Sequence, residues 1–235
     1  MDRDFGGGDE FSADGEDRGA EALLTLLQIF DSQHPIGGFA HSGGLETYAQ
    51  MDWCVEDLEP LLRSFIVHGW GRLDVAASVL AYRQAEDREA IALLCETLDA
   101  WKVIATVRET SHKLGRRLLR LARRLWPDAT VSIMVKAPHH AVVVGTLAHR
   151  LGLSERPVAL AFAQSMLMGQ LSAATRCMPL SAERAQEIMI GLRPTVIRAV
   201  NRAIAAPEAS LCASTPGADI RAHQQALLYT RLFQS

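Results

Sequence analysis

A chain of 235 residues, 49% of them apolar, can bury a substantial core as one large domain or two small ones. No apolar run approaches the roughly 20 residues that cross a bilayer, and the acidic, glycine-rich start is the reverse of a signal peptide, so the cytoplasm is the expected compartment. Residues 1–20 hold seven acids against Arg3 and Arg18, which leaves a nearly neutral body without the strong positive field that phosphate-backbone binding needs.

Residues 1–20 have no apolar period and read as a disordered arm. From Glu21 a helical spacing of Leu23, Leu24, Leu27 and Phe30 begins, and it must end before Pro35, Gly37 and Gly38. A turn then presents PIGGFAHSGG. Helices are expected at about 43–51, 55–69, 72–85, 87–103 and 106–125, with Pro60 in a first turn where its missing N–H costs little. In the last of these Leu114, Leu118, Leu121 and Leu125 form an apolar stripe, and Lys113, Arg116, Arg117, Arg120, Arg123 and Arg124 give a basic outer face.

Trp126-Pro127-Asp128 breaks the pattern, and 128–138, with Val131, Ile133 and Val135, reads as a loop or short extended piece. Helices resume at about 139–151, 157–177 and 181–205, with Ser181 as N-cap and Pro194 as a kink or break. The linker SLCASTPGAD leads to a short helix at about 219–232. Helix formers dominate while Tyr, Phe and Thr are sparse, so the fold class is all-α. It is a single compact helical domain of about eight to ten helices over 21–210, with a flexible arm (1–20) and a linker and partner-binding tail (211–235).

Chemistry is harder to find. There is no P-loop, GxSxG elbow, HExxH helix or EF-hand loop, and Gly69-Trp70-Gly71 lacks the third glycine of a dinucleotide fingerprint. Cys54, Cys95, Cys177 and Cys212 form no CxxC pair and read as reduced core residues. No two histidines stand at i and i+4 on an expected helix, adjacent His139 and His140 would point about 100° apart, and Met166, Met168 and Met178 read as core filling. No metal ligand set, cofactor or catalytic residue is expected. The turn differs: Gly37, Gly38, Gly43 and Gly44 surround Phe39, His41, Ser42 and Glu46. That density of glycine suggests close backbone approach or unusual dihedral angles. A His41–Glu46 acid/base pair would make the turn a hydrolase site, and the basic helix 113–124 would make the chain a nucleic-acid-binding regulator.

PIGGFAHSGGLE resembles the N-terminal signature of the UreF family of urease accessory proteins. Glu109–Gly115 (ETSHKLG), His140 with Gly145, Arg176–Leu180 (RCMPL) and the closing LLYTRLFQS resemble further family segments, in the expected order over residues 22–235. The resemblance implies a non-enzymatic, all-α homodimer. It would bind the scaffold UreD/UreH, recruit the GTPase UreG and deliver nickel to apo-urease, with neither nucleic acid nor membrane as partner. Nickel would be handled by the complex rather than held as a cofactor. The resemblance also implies a tail that orders on the scaffold, and a GTPase-recruiting surface shaped by Phe39 and Arg231. The partner-binding set is therefore Phe39, His41, Ser42, Glu46, Tyr229, Arg231, Leu232 and Phe233. Leu227, Leu228, Leu232 and Phe233 suit the tail for docking. Three positions depart from the family pattern: Phe39 stands where some members have Tyr, Gln225-Ala226 where a His-Glu pair is common, and 179–186 where a PLGQ-x-x-GQ-like stretch is found.

Overall fold

Residues 73–81 and 141–148 carry small or apolar side chains on nearly every face, a pattern that suits a helix enclosed by other helices. In the computed structural model, which describes residues 10–51, 54–130 and 137–234, these segments form the two central helices, α4 (Trp70–Arg83) and α8 (His140–Arg150). Around them run α1 (Glu10–Ile29), α2 (Leu45–Ala49), α3 (Leu58–His68), α5 (Arg88–Trp101), α6 (Ala105–Leu125) and α7 (Pro127–Thr130). The chain closes with α9 (Glu155–Cys177), α10 (Ala182–Ala205), α11 (Pro207–Ser210) and α12 (Pro216–Gln224), the last continued by a single 3-10 turn, Gln225–Leu227. The described residues contain no strand, and the all-α expectation holds. None of these helices is long and apolar enough to cross a membrane.

The central pair is held by close backbone approach. A Cβ on Gly145 of α8 would overlap the carbonyl oxygen of Ser78 and crowd Ala81 on α4. Gly115 does the same for α6, where a Cβ would overlap the carbonyl oxygen of Pro138 just ahead of α8. Both glycines belong to segments that carry the family resemblance, and in both the requirement is space. One charge enters the centre: Asp74 on α4 is 5% exposed and is met by Lys102 at the end of α5, with Nζ 2.8 Å from Oδ1. A buried carboxylate of this kind is tolerated only when an opposite charge meets it.

Several expectations change. Helix α1 starts at Glu10, inside the stretch read as an irregular arm; residues 1–9 lie outside the described residues. Its packed side is Ala22, Leu26, Ile29 and Phe30, whereas Leu23, Leu24 and Leu27 face outward. On α6 the buried stripe is Ser111, Gly115, Leu118, Leu119 and Ala122, shifted from the leucine row; Leu125 is exposed. Residues 127–130 are the short helix α7, and Val131, Ile133 and Val135 lie outside the described residues.

Ser181 caps α10 as expected, its Oγ accepting from the Arg184 N–H at 3.1 Å. Pro194 does not break that helix: it lies on the exposed side, where the Ile190 carbonyl it leaves without a donor can meet water. Met166, Met168 and Met178 pack on or in the core, as do Cys95 and in part Cys177. Cys54, by contrast, is exposed.

The glycine at 145 is a packing requirement, so Gly145→Ala should lower unfolding free energy by about 1–3 kcal/mol. A Cβ on Gly169 of α9 would have nothing within 4 Å, so Gly169→Ala should raise it by roughly 0.5–1 kcal/mol. Urea unfolding midpoints at unchanged slope would separate the two.

Candidate functional site: the glycine-rich turn and the chain terminus

Left-handed backbone at Gly43 (φ 61°) and Gly44 (φ 92°) stops the expected helix from starting at 43 and delays α2 to Leu45. That reversal puts Glu46 in the first turn of α2, where the helix N-terminus favours a carboxylate. Gly44 also admits α12: a Cβ there would sit 3.1 Å from the backbone nitrogen of Ala222. Gly37 (φ 80°) has the Arg117 guanidinium against it, and Arg117 donates to the Ile36 carbonyl at 3.2 Å.

Glu46 is 1% exposed, and its partners come from the far end of the chain. Oε1 accepts from the Leu232 N–H at 2.6 Å; Oε2 accepts from the Phe233 N–H at 3.3 Å and from the Gln225 side-chain amide at 3.1 Å. Gln225 in turn accepts from the Ser42 hydroxyl at 3.1 Å. Three donors replace the water this carboxylate has lost. The same segment is fastened by the Gln234 N–H to the Ala40 carbonyl (2.9 Å), by the Gln50 amide to the Thr230 carbonyl (3.2 Å), and by the Thr47 hydroxyl to the Arg221 carbonyl (2.9 Å). Phe233 is buried with the Arg176 guanidinium 4.4 Å from its ring centre, a cation–π contact. Cys177 is next along; burial and the Glu46 charge push its thiol up to about 11, so it stays protonated.

The structure thus brings together Ser42, Glu46 and Phe233, with the backbone of Leu232. His41 turns to α6, its Nδ1 3.3 Å from the Thr110 hydroxyl. It and Glu46 have separate settings rather than forming an acid/base pair. Phe39 lies in the 3-10 turn Gly38–Ala40, and its side chain lies outside the described residues. Tyr229, Arg231 and Leu232 point to solvent, with Leu232 72% exposed. The helix expected to reach 232 ends at Gln224 and a 3-10 turn, and the following residues run along the glycine-rich turn. Sequence reasoning missed Gln225, Arg176, Thr47 and Gln50. Gln225 had registered only as a departure from a family pair, yet its amide is the one side chain that can donate to Glu46 and accept from Ser42 together.

His41 is held down to about 4, by burial first and then by Lys113 and Arg117. Its folded pKa lies below its unfolded one, so between about pH 6.5 and 4 the unfolded chain binds the extra proton. The stability from the neutral imidazole is complete above 6.5 and is lost as pH falls through that window. Between pH 7 and pH 5, urea unfolding should therefore show the wild type losing on the order of 1–2 kcal/mol more than His41→Gln does. Glu46→Gln would set an amide donor against backbone N–H groups. It should speed hydrogen exchange at the 232 and 233 amides by about tenfold or more.

The model of the UreF family matches residues 54–193, from the approach to α3 into α10. Over a longer span, the urease accessory protein UreF of Haemophilus influenzae (strain PittGG) is 34% identical over 226 residues, covering 91% of this chain and 95% of the relative. UreF of Chromohalobacter salexigens is 31% identical over 218 residues, with coverage of 91% and 95%. UreF of Actinobacillus pleuropneumoniae is 30% identical over 224 residues, covering 91% of this chain and 99% of the relative. With the all-α architecture, the family segments placed at its packing contacts and matches of this extent, the chain belongs to the UreF family of urease accessory proteins.

Proposed function

We propose that this chain is a non-catalytic adaptor of nickel-centre assembly. It binds the scaffold UreD/UreH, recruits the GTPase UreG to the resulting complex, and so helps nickel reach apo-urease in the cytoplasm. The chain acts as a homodimer, and nickel is cargo passed between partners rather than a resident cofactor. Family membership supports the accessory role. The observation that carries the partner reading is the two-sided terminus: its backbone is fixed to Glu46 and Ala40, while Leu227, Tyr229 and Leu232 are 77%, 102% and 72% exposed.

Large apolar side chains on a segment already fixed in place suit a docking surface, because little ordering entropy remains to be lost when a partner covers them. Arg231 lies among them and supplies a guanidinium for a carboxylate on the partner. Ser42, Glu46 and Phe233 serve from below, by fixing the line of the backbone. Phe39 and His41 belong to the turn that the terminus covers, and with it they complete the proposed partner-facing region.

Co-purification with the scaffold and GTPase from the same source tests this. Tyr229→Ala combined with Leu232→Ala removes side chains that support nothing in the fold, so the unfolding free energy should move by less than about 0.5 kcal/mol. The ternary complex should weaken at least tenfold. Wild-type protein that captures neither partner, or a double variant that binds as well as wild type, would overturn the reading. Retention on DNA that falls steeply with salt would instead favour the exposed arginines of α6.

A further inference from the structure

Three side chains far apart in sequence meet on the side of α6 that faces α5 and the start of α8. Asp99 stands near the end of α5, His112 on α6, and His139 at the N-cap of α8. One donor atom from each lies within 4.8 Å of the other two. Oδ1 of Asp99 is 2.8 Å from Nε2 of His112 and 3.2 Å from Nε2 of His139, and the two imidazole centres are 4.0 Å apart. For a tetrahedral ion with bonds of about 2.1 Å, neighbouring ligand atoms stand about 3.4 Å apart. The Asp99–His139 spacing is close to that, while the Asp99–His112 pair, at hydrogen-bond distance here, would open slightly around an ion.

We propose that Asp99, His112 and His139 form an exchangeable site for a divalent transition-metal ion of borderline softness, such as zinc, nickel or cobalt(II), with water completing the coordination.

Hydrogen bonding alone leaves this cluster incomplete. His139 is fully buried, and its Nε2 has no hydrogen-bond partner: the Asp99 oxygen is near but off the line a hydrogen bond needs. Its other nitrogen, Nδ1, is 3.0 Å from the Ser111 hydroxyl. With Nδ1–H donating to Ser111, the Nε2 lone pair faces Asp99 and His112, the outer-shell arrangement that fixes a ligating histidine. Imidazole and carboxylate together suit zinc, nickel and cobalt better than magnesium or calcium.

The site is open on one side, since the Asp99 side chain is 46% exposed while those of His112 and His139 are 12% and 0% exposed. An ion therefore enters through Asp99 and leaves the same way. Arg108 has its Nε 4.0 Å from the Asp99 carboxylate, with another guanidinium nitrogen bonded to the Lys102 carbonyl. That cation opposes a second one, so three protein donors beside it give an exchangeable rather than a structural site. The charges of Lys102 and Asp74 cancel in their own pair. No metal ligand set was expected from the sequence, because the three donors sit on three separate elements. The site is independent of the partner contacts proposed above.

Titrating metal-free, full-length protein with Co2+ and following visible absorption should show one ion per chain with d–d bands of a low-coordinate nitrogen/oxygen site. Ni2+ and Zn2+ should displace it. Asp99→Asn and His112→Gln, both at partly exposed positions, should fold normally by circular dichroism and weaken Co2+ at least tenfold. Ser111→Ala should weaken it by a similar factor while removing no ligand. In NMR spectra, Ni2+ should broaden the imidazole signals of His112 and His139 first. Absence of Co2+ binding by the wild type, or equal binding by the Asp99 and His112 variants, would overturn the proposal.

Discussion

Glu46 is a carboxylate placed where water cannot solvate it, and the two ends of the chain are joined by what it takes to make that tolerable. A charged group of this kind needs donors supplied by the protein. Two of its donors are backbone N–H groups of residues 232 and 233, and the third is the amide of Gln225. The left-handed glycines at 43 and 44 place the carboxylate, and the terminus satisfies it. Neither segment has a reason for its course without the other.

The helical body explains why the remaining family segments read as they do. Gly115 and Gly145 stand where helices meet backbone to backbone, and any side chain would force the central layers apart. His140, which opens α8, packs edge-on against Phe162 with ring centres 5.4 Å apart. Arg176 closes over Phe233. These positions make a core and fasten a terminus onto it, and the exposed chemistry is left to Tyr229, Arg231 and Leu232. An adaptor fits this division, since its rigid body sets the angle at which a short surface segment is shown to a partner. The proposed metal site lies elsewhere, where α5, α6 and the start of α8 converge, so ion binding and partner docking need not compete for the same residues.

The elements themselves were largely legible in the amino-acid sequence, because helix boundaries here follow local chemistry. Ser181 caps α10, Pro127 ends α6, and the breaks near 86, 104 and 153 separate helices with ends within two or three residues of the spacing pattern. The all-α class followed from the same local preferences. The glycine-rich turn was also visible as a place where backbone must do something unusual, since four glycines in eight residues have no role in an ordinary helix connection. Even Glu46, Ser42 and Phe233 could be singled out, though as parts of two separate segments.

What only the tertiary structure decided is which face of each helix is inside and which distant side chains meet. Leu23, Leu24 and Leu27 fall at helical spacing, as Ala22, Leu26 and Ile29 do, and only the neighbouring helices determine that the second set is packed. Gln225 and Glu46 are 179 residues apart, and Asp99, His112 and His139 sit on three elements, so no spacing rule could join them. Local propensity acts over a few residues, whereas a hydrogen bond or a ligand set depends on where whole helices come to rest. The sequence determined the helices, the unusual turn and the family. Packing determined that the chain's end lies on that turn, held by the one buried carboxylate that needs it.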